Sequence, residues 1–188
     1  MSQPETELME LVAKGDRAAF AELMDLLMPR ALRFVARLTG DAEEAEDIVQ
    51  DVFIRVWVKA GKWRKQGDGS AKSWIYRLLY NRTIDVLRRK KRMVLLPDGW
   101  DVADEASPLA ADALAEQEMQ DSLMIRAMAG LPTQQKAAVQ LFYYDGLSQK
   151  EAAASLGLSL SAFEALLFRA REGLKRRVSA QNTEGGMQ

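Results

Sequence analysis

The chain has 188 residues, with 26 basic and 27 acidic side chains and a formal net charge of −1. It contains no cysteine and no histidine, which excludes disulfides, thiolate nucleophiles, cysteine-based zinc sites and the serine–histidine triad. The length fits one or two domains, and 48% hydrophobic with 28% charged residues is ordinary for a globular chain. We therefore expect a protein that is not an enzyme and that uses no cofactor or metal.

The charges are unevenly distributed along the chain. Residues 61–92 contain 11 basic and 2 acidic side chains, a local net charge of +9, whereas residues 93–121 contain 8 acidic and no basic ones. The basic segment would attract a polyanion although the chain as a whole is nearly neutral. Charges that merely cover solvated helix faces are the alternative.

No apolar run approaches the roughly 18 residues that a membrane helix needs. The first residues, Met1 to Glu5, lack the basic and apolar segments of a signal peptide. We therefore expect a cytoplasmic protein.

Glycine, serine and aspartate residues mark the boundaries of the helices that we predict in the first 92 residues. The predicted helices run from Glu5 to Lys14, from after Asp16 to Thr39, over residues 42–60, and from Ser70 to Arg92. Gly40 suits a left-handed C-cap, and Asp41 with Glu44 has capping-box spacing. Because apolar residues recur every three or four positions in these segments, we predict a four-helix N-terminal domain.

The acidic stretch over residues 93–117 contains two prolines and no basic residue, which predicts a flexible linker. Further helices are predicted over Gln120–Ala129, over residues 134–144 with Thr133 as the cap, over residues 149–156, and from Leu160 to Val178. Residues from Ser179 onward are predicted to be frayed. No segment has a strand pattern, so the predicted fold class is all-α.

Two of these helices form a helix-turn-helix pattern. Ser148 and Glu151 have capping-box spacing, and Gly157 permits a tight turn before the helix that begins at Leu160. Such a second helix enters the DNA major groove with its first turns. Two packed helices with a solvated basic end are the alternative.

Cations alternate with aromatic residues between residues 61 and 92. Trp63, Trp74, Tyr76 and Tyr80 lie among the lysines and arginines of this segment. Exposed aromatic rings between positive charges suit unpaired bases, which need a surface for stacking. The alternative is that these rings belong to the core, and it is weakest for Trp63, which lies within the loop.

Two segments then resemble a known family. Residues 45–53 (AEDIVQDVF) and 74–89 (WIYRLLYNRTIDVLRR) resemble the sigma-two domain of bacterial RNA polymerase sigma factors, and Leu131-Pro132, Gly146-Leu147-Ser148 and the helix-turn-helix resemble their sigma-four domain. A short linker between the two is typical of the extracytoplasmic-function (ECF) class. The resemblance implies a sigma-two domain over residues 5–93, a linker over 94–117, a sigma-four domain over 118–178 and a disordered tail over 179–188.

The resemblance also implies partners and site residues. Core RNA polymerase would bind through the clamp helices of its largest subunit and the flap of its second-largest subunit, and an anti-sigma factor would regulate the chain. The residues implied in polymerase docking are Asp47, Gln50, Asp51, Ile54 and Arg55. Those implied at the −10 promoter element, where a flipped base would be captured, are Lys62, Trp63, Arg64, Lys65, Lys72, Arg77, Asn81, Asp85 and Arg88. Those implied at the −35 element are Ser148, Lys150, Ser159, Ser161, Arg169, Arg171 and Lys175.

The second helix of the helix-turn-helix departs from the family, which commonly has lysine and arginine in its first two turns. This chain has Ala162, Phe163, Glu164, Ala165 and Leu166 there. Glu164 fits two interpretations, a capping box with Ser161, which we favour, or an acceptor for cytosine. Leu166, if it faces outward, would contact a thymine methyl group or a partner protein.

We interpret the chain as an alternative sigma factor that directs core polymerase to particular promoters. One rival is a dimeric helix-turn-helix regulator, which leaves the pattern over residues 45–92 unexplained. Another is a sigma mimic that titrates an anti-sigma factor without binding promoters.

Overall fold

The computed structural model describes residues 4–63, 70–94 and 126–184, all of it built from helices and loops. No residue in these ranges is in a strand, which confirms the predicted all-α class. The α-helices are α1 (Pro4–Val12), α2 (Arg17–Thr39), α3 (Ala42–Lys59), α4 (Ala71–Val94), α5 (Thr133–Val139), α6 (Gln149–Leu156) and α7 (Leu160–Glu184). A 3-10 turn (Ala60–Lys62) follows α3, a π-helical turn (Gln140–Tyr144) continues α5, and residues 126–129 are also helical.

Capping residues set the bounds of α2 and α3. The Asp16 carboxylate accepts from the backbone N–H groups of Ala18 and Ala19, at 2.9 and 3.0 Å, and so begins α2. Gly40 ends that helix at φ 74°, which confirms the predicted left-handed cap. Asp41 accepts from the Glu44 N–H at 3.1 Å, but the Glu44 carboxylate pairs with Lys90 of α4 at 2.7 Å. The predicted capping box is therefore only half formed, and Glu44 instead links α3 to α4.

The N-terminal core lies between α2, α3 and α4. Its large members include Phe34, Phe53 and Tyr76, all at most 2% exposed. The rings of Phe34 and Tyr76 meet edge to face with centroids 5.2 Å apart, a geometry that aromatic pairs favour. This packing fixes α4, and therefore the direction in which its polar face points.

The C-terminal helices confirm the predicted helix-turn-helix. Ser148 and Glu151 form a complete capping box at the start of α6, and Gly157 ends that helix at φ 68°. α6 and α7 then meet at a bend of 95°, within the range of such motifs. Two boundary predictions were wrong: Thr133 is the first residue of α5, preceded by Pro132 without a side-chain cap, and α7 continues beyond Val178 to Glu184.

The two halves of the chain pack against each other through α4 and α6. The Ser155 hydroxyl of α6 donates to the backbone carbonyl of Ser73 in α4 at 3.1 Å. The Arg37 guanidinium of α2 lies 4.7 Å from the centroid of the Tyr144 ring. The predicted linker, apart from the last helical residues of α4, lies outside the described residues.

Within the described ranges, no single helix is both long enough and apolar enough to cross a membrane. Among the described residues, only the bent pair of α6 and the first part of α7, to Ser179, satisfies that requirement, and it does so by length and composition alone.

Candidate nucleic-acid and polymerase interfaces

The outer face of α3 carries the predicted docking residues. Val49, Val52 and Val56 are buried, whereas Asp47, Gln50, Ile54 and Arg55 are exposed and Asp51 is half-buried. Ile54 is 64% exposed, unusually open for a branched apolar residue. These side chains share one solvent-facing surface on a helix whose opposite side is fixed in the core.

Val58 belongs to the same surface and was missed in the sequence. It is 73% exposed and follows Ile54 by one helical turn. The four-residue spacing of Gln50, Ile54 and Val58 is the signal that identifies it. We call the outer face of α3, comprising Asp47, Gln50, Asp51, Ile54, Arg55 and Val58, the α3 face.

Asp51 is tied to its neighbours by two ion pairs. Its Oδ2 atom lies 2.7 Å from Nε of Arg82 in α4 and 3.0 Å from a terminal nitrogen of Arg55. The first pair crosses between helices and is partly shielded from water, so it also orients α3 on α4. Asp51 therefore has a structural role in addition to its place on the α3 face.

One polar stripe runs along α4. Arg77, Asn81, Asp85 and Arg88 are all exposed and recur every three or four residues, so they lie on one face of the helix. Trp74 precedes them by one turn and is half-buried. We call these four polar residues the α4 stripe; it offers hydrogen-bonding groups and positive charge over about three helical turns.

Several aromatic and basic residues expected at this surface are instead buried. Trp63 is only 7% exposed and packs in the core after the 3-10 turn, so the expectation of an exposed stacking ring there was wrong. Tyr76 and Tyr80 are likewise core residues. Lys62 is exposed as expected, whereas Arg64 and Lys65 lie outside the described residues.

Lys72 was also expected to face DNA, and it does not. It is 8% exposed, and its Nζ atom donates to the backbone carbonyl of Asp145 in the C-terminal half. Burial lowers the pKa of the Lys72 ammonium below its usual value, although Glu5 opposes the shift. The local sequence gives no sign of this contact because Asp145 is 73 residues away.

The same aspartate accepts a hydrogen bond from a tyrosine. The Tyr76 hydroxyl donates to Oδ1 of Asp145 at 2.7 Å. Burial raises the pKa of the Asp145 carboxyl to about 6, although Tyr76 and Lys72 stabilise its ionised form. Burial, with the Asp145 charge, raises the pKa of the Tyr76 hydroxyl far above its usual range. Asp145 therefore contacts α4 through both its side chain and its backbone carbonyl.

The expected −35 residues are all on the surface of α6, α7 and the turn between them. Ser148, Lys150, Ser159, Ser161, Arg169, Arg171 and Lys175 are each exposed. Most of them also contact neighbours within the protein. The Ser148 hydroxyl contacts the Glu151 carboxylate at 2.8 Å, Ser159 and Ser161 contact each other at 3.2 Å, and Lys175 pairs with Glu172 at 3.0 Å.

Two arginines flank the exposed part of α7. The Nε–H group of Arg169 donates to the Ala165 carbonyl, one turn earlier, at 3.3 Å. Arg171 donates to the Tyr143 hydroxyl and lies 5.5 Å from the centroid of that ring. This contact anchors α7 to the π-helical turn and holds a cation at the edge of the helix-turn-helix.

The first turns of α7 separate the alternatives left by the sequence. Leu166 is buried, so it does not face outward. The apolar residue that does is Phe168, which is 64% exposed and which the sequence reasoning missed. Its position one turn after Glu164, off the buried stripe of Phe163 and Leu167, is the signal that identifies it.

A groove lies between the start of α5 and the middle of α7. It has a volume of about 570 Å³ and is lined by Leu131, Pro132, Gln135, Phe168, Arg176 and Arg177 among others. Its lining is mostly apolar, and its charged members are Arg169, Arg176 and Arg177 beside Glu172. Within the described ranges, no group of three or more acidic side chains is placed to hold a metal ion.

Two family profiles match the chain in the order of these surfaces. Sigma-70 region 2 matches residues 23–93, which include the α3 face and the α4 stripe. Sigma-70, region 4 matches residues 122–174, which include the helix-turn-helix.

Curated relatives extend the match over nearly the whole chain. The ECF RNA polymerase sigma factor SigM of Mycobacterium tuberculosis is 33% identical over 95% of this chain and 87% of its own. The ECF RNA polymerase sigma factor RpoE of Cereibacter sphaeroides is 31% identical over 87% of this chain and 88% of its own.

Solved structures show the same fold. CnrH, in complex with the cytosolic domain of CnrY, superposes with a TM-score of 0.69 at 22% identity, covering 95% of this chain and 99% of that one. The sigma factor RpoE of Bartonella quintana, in complex with the anti-sigma factor NepR, superposes with a TM-score of 0.68 at 25% identity, covering 85% and 96%.

Sigma factors bind core RNA polymerase and promoter DNA, and they are initiation factors rather than enzymes. Both domains of such a factor are present here in the expected order, and the relatives match across them. The chain belongs to the ECF class of bacterial RNA polymerase sigma factors.

Proposed function

We propose that this sigma factor docks on the clamp helices of the largest polymerase subunit through the α3 face. The observation that supports this is the exposure of Ile54 and Val58 beside Asp47 and Gln50 on a helix whose other side is buried. A compact apolar pair with a polar border is the composition of a protein–protein contact. The groove between α5 and α7, at the end lined by Leu131, Pro132 and Arg177, is our candidate for the flap of the second-largest subunit.

The α4 stripe is our candidate for the −10 element. Arg77 and Arg88 supply charge for phosphates, and Asn81 supplies a donor and an acceptor for an unpaired base. Lys62 extends the positive surface, and the half-buried Trp74 lies at the near end of the stripe. Arg64 and Lys65 remain expected contacts, whereas Trp63 and Lys72 would first have to leave their buried positions.

The helix-turn-helix is our candidate for the −35 element. Ser148 and Lys150 lie at the start of α6, and Ser159 and Ser161 at the start of α7, where backbone and hydroxyl groups reach phosphates. Arg169, Arg171 and Lys175 supply positive charge along the exposed side of α7.

Promoter binding on this scheme requires the two halves to separate. Elements about 25 base pairs apart are roughly 85 Å apart on B-DNA, at about 3.4 Å per base pair. A compact chain of this length has a radius of gyration of about 16 Å, so it is roughly 40 Å across. The arrangement in which Asp145 contacts α4 cannot span both elements, so we assign it to the free or the inhibited protein.

We call the arrangement in which Asp145 contacts α4 the closed form, and the arrangement with the two halves separated the open form. An anti-sigma factor is the proposed partner of the closed form. The similarity to a sigma factor solved with its anti-sigma factor NepR supports this assignment. Since the polymerase works in the cytoplasm, we expect this chain to act there.

Run-off transcription tests the function directly. Purified bacterial core polymerase, this chain and a library of genomic promoter fragments should give transcripts that appear only when the chain is added. Tight polymerase binding without new transcripts would favour the sigma mimic instead. Duplex binding without polymerase binding would favour the dimeric regulator.

A further inference from the structure

Glu164 has no partner in the part of the chain that the structure describes. It is exposed in the second turn of α7, and it makes no hydrogen bond or ion pair with any described residue. The other acidic residues between Ser148 and Ser179, Glu151 and Glu172, are both engaged: Glu151 in the capping box and Glu172 with Lys175. Among the described residues, the Glu164 carboxylate therefore has no structural role.

A capping role for Glu164 was the interpretation favoured from the sequence, and it was wrong. The residue that caps α7 is Ser159, whose hydroxyl accepts from the Ala162 N–H at 3.2 Å. The third helical position is therefore Ala162, whose methyl group cannot complete a capping box. The helix dipole stabilises a carboxylate within the first turn of a helix. Glu164 is the fifth residue of α7 and lies beyond that turn.

The neighbours of Glu164 on the exposed side are small. Ala162 and Ala165 are exposed and present only methyl groups, so the helix backbone can approach base edges closely. Phe168 follows Glu164 by one turn on the same side, and its ring is open to solvent. The first turns of the helix thus combine one carboxylate with apolar surface and lack any lysine or arginine until Arg169.

A carboxylate facing the major groove discriminates between bases by charge. It accepts a hydrogen bond from the amino group of cytosine. Guanine and thymine present acceptor oxygens that repel it, and adenine presents its amino group beside the N7 acceptor, which also repels it. Phosphate repulsion also makes such a carboxylate unfavourable unless a base supplies the donor. We propose that Glu164 is a specificity-determining residue that selects cytosine in the −35 element, with Phe168 packed against a neighbouring thymine methyl group. This inference rests on the proposed function.

The helix geometry limits the distance between the two selected bases. Four residues of α-helix rise about 6 Å. Base pairs are stacked about 3.4 Å apart, so the thymine should lie within about two base pairs of the cytosine. The proposal therefore predicts a short motif rather than two independent preferences.

The test is a selection of transcripts from promoters with a randomised −35 region, using core polymerase reconstituted with the full chain. With the natural chain, one position should favour cytosine over guanine by at least about fivefold. Glu164→Ala should reduce that ratio to within about twofold. Glu164→Gln should shift the preference toward adenine, and Glu164→Arg toward guanine, since these are the bases that amide and guanidinium groups recognise.

Glu22→Gln is the control, because it removes an exposed carboxylate from α2, away from the helix-turn-helix. It should leave all base preferences within about twofold of the natural chain. An unchanged cytosine preference in Glu164→Ala, or no such preference in the natural chain, overturns the proposal while promoter-specific transcription still stands. Absence of any transcript that depends on the natural chain would overturn the proposed function itself.

Discussion

The Tyr76 hydroxyl of α4 donates to Oδ1 of Asp145 at 2.7 Å, and this buried bond joins two domains across 69 residues of sequence. Both residues are nearly excluded from solvent. Lys72, one turn before Tyr76, donates to the backbone carbonyl of the same aspartate. Three polar groups that would be costly to bury alone therefore satisfy one another at the contact between the domains.

Removing the Tyr76 hydroxyl should open the two domains. Tyr76→Phe keeps the ring in its core position but leaves the buried Asp145 carboxylate without that donor, at a cost of about 1–3 kcal/mol. Since the chain has no cysteine, fluorophores can be attached at Glu22→Cys and Gln134→Cys, both exposed and in different domains. Energy transfer between them should fall in the Tyr76→Phe chain.

Tyr80→Phe is the control for this change. Tyr80 is also buried in α4, but its hydroxyl makes no hydrogen bond to any described residue. Energy transfer should therefore stay at the level of the unmodified chain. An equal fall in both variants would mean that the Tyr76–Asp145 bond does not hold the domains together.

The contact between the domains should weaken as the pH rises through about 6. The pKa of Asp145 is about 6 when it is buried, compared with an ordinary value of 3.8, so between these values the closed form binds more protons than the open form. Lowering the pH from about 7.5 to about 5.5 should therefore raise the closed-to-open ratio about fourfold. The charged groups around the carboxyl are Lys72, Arg30 and Arg37.

The same energy-transfer pair measures this dependence. Asp145→Asn removes the carboxyl that titrates near pH 6, so the change over this pH range should disappear in that variant. Persistence of the full dependence in Asp145→Asn would show that another group is responsible.

Docking on polymerase should depend on the apolar part of the α3 face. Ile54→Glu places a charge where we expect a buried contact and should weaken binding to core polymerase at least about tenfold. Because Ile54 is exposed in the free chain, the free energy of unfolding should change by no more than about 0.5 kcal/mol. Titration of labelled chain with core polymerase and a thermal melt measure the two effects.

Asp51→Arg should behave differently from Ile54→Glu. The sequence suggests a surface residue whose reversal affects docking alone. In the structure, however, Asp51 pairs with both Arg82 and Arg55. An arginine at position 51 would remove both ion pairs and place three positive charges together. The Asp51→Arg variant should therefore have both a lower unfolding temperature and a lower affinity for polymerase. Glu22→Arg, on the exposed side of α2, is the control that should change neither quantity.

Local sequence signals predicted the helices well but not the contacts between them. Gly40 and the Ser148–Glu151 box mark boundaries because capping chemistry acts within a few residues. The burial of Lys72 depends on Asp145, which lies in another domain, and no periodic pattern in α4 reports it. Trp63 was misjudged for a similar reason, since a residue beside a basic sequence segment still packs inward when the preceding turn directs it to the core.

Melting of the promoter should depend on the α4 stripe. Arg77→Ala combined with Asn81→Ala removes the proposed phosphate contact and the proposed base contact from an exposed face, so polymerase binding and the fold should be unaffected. Open-complex formation, followed by permanganate reactivity of unpaired thymines, should be lost. Arg17→Ala, an exposed arginine on α2, should melt the promoter normally. Normal melting by the double variant would contradict the assignment of Arg77 and Asn81 to the −10 site, because other residues would then have to hold the unpaired strand.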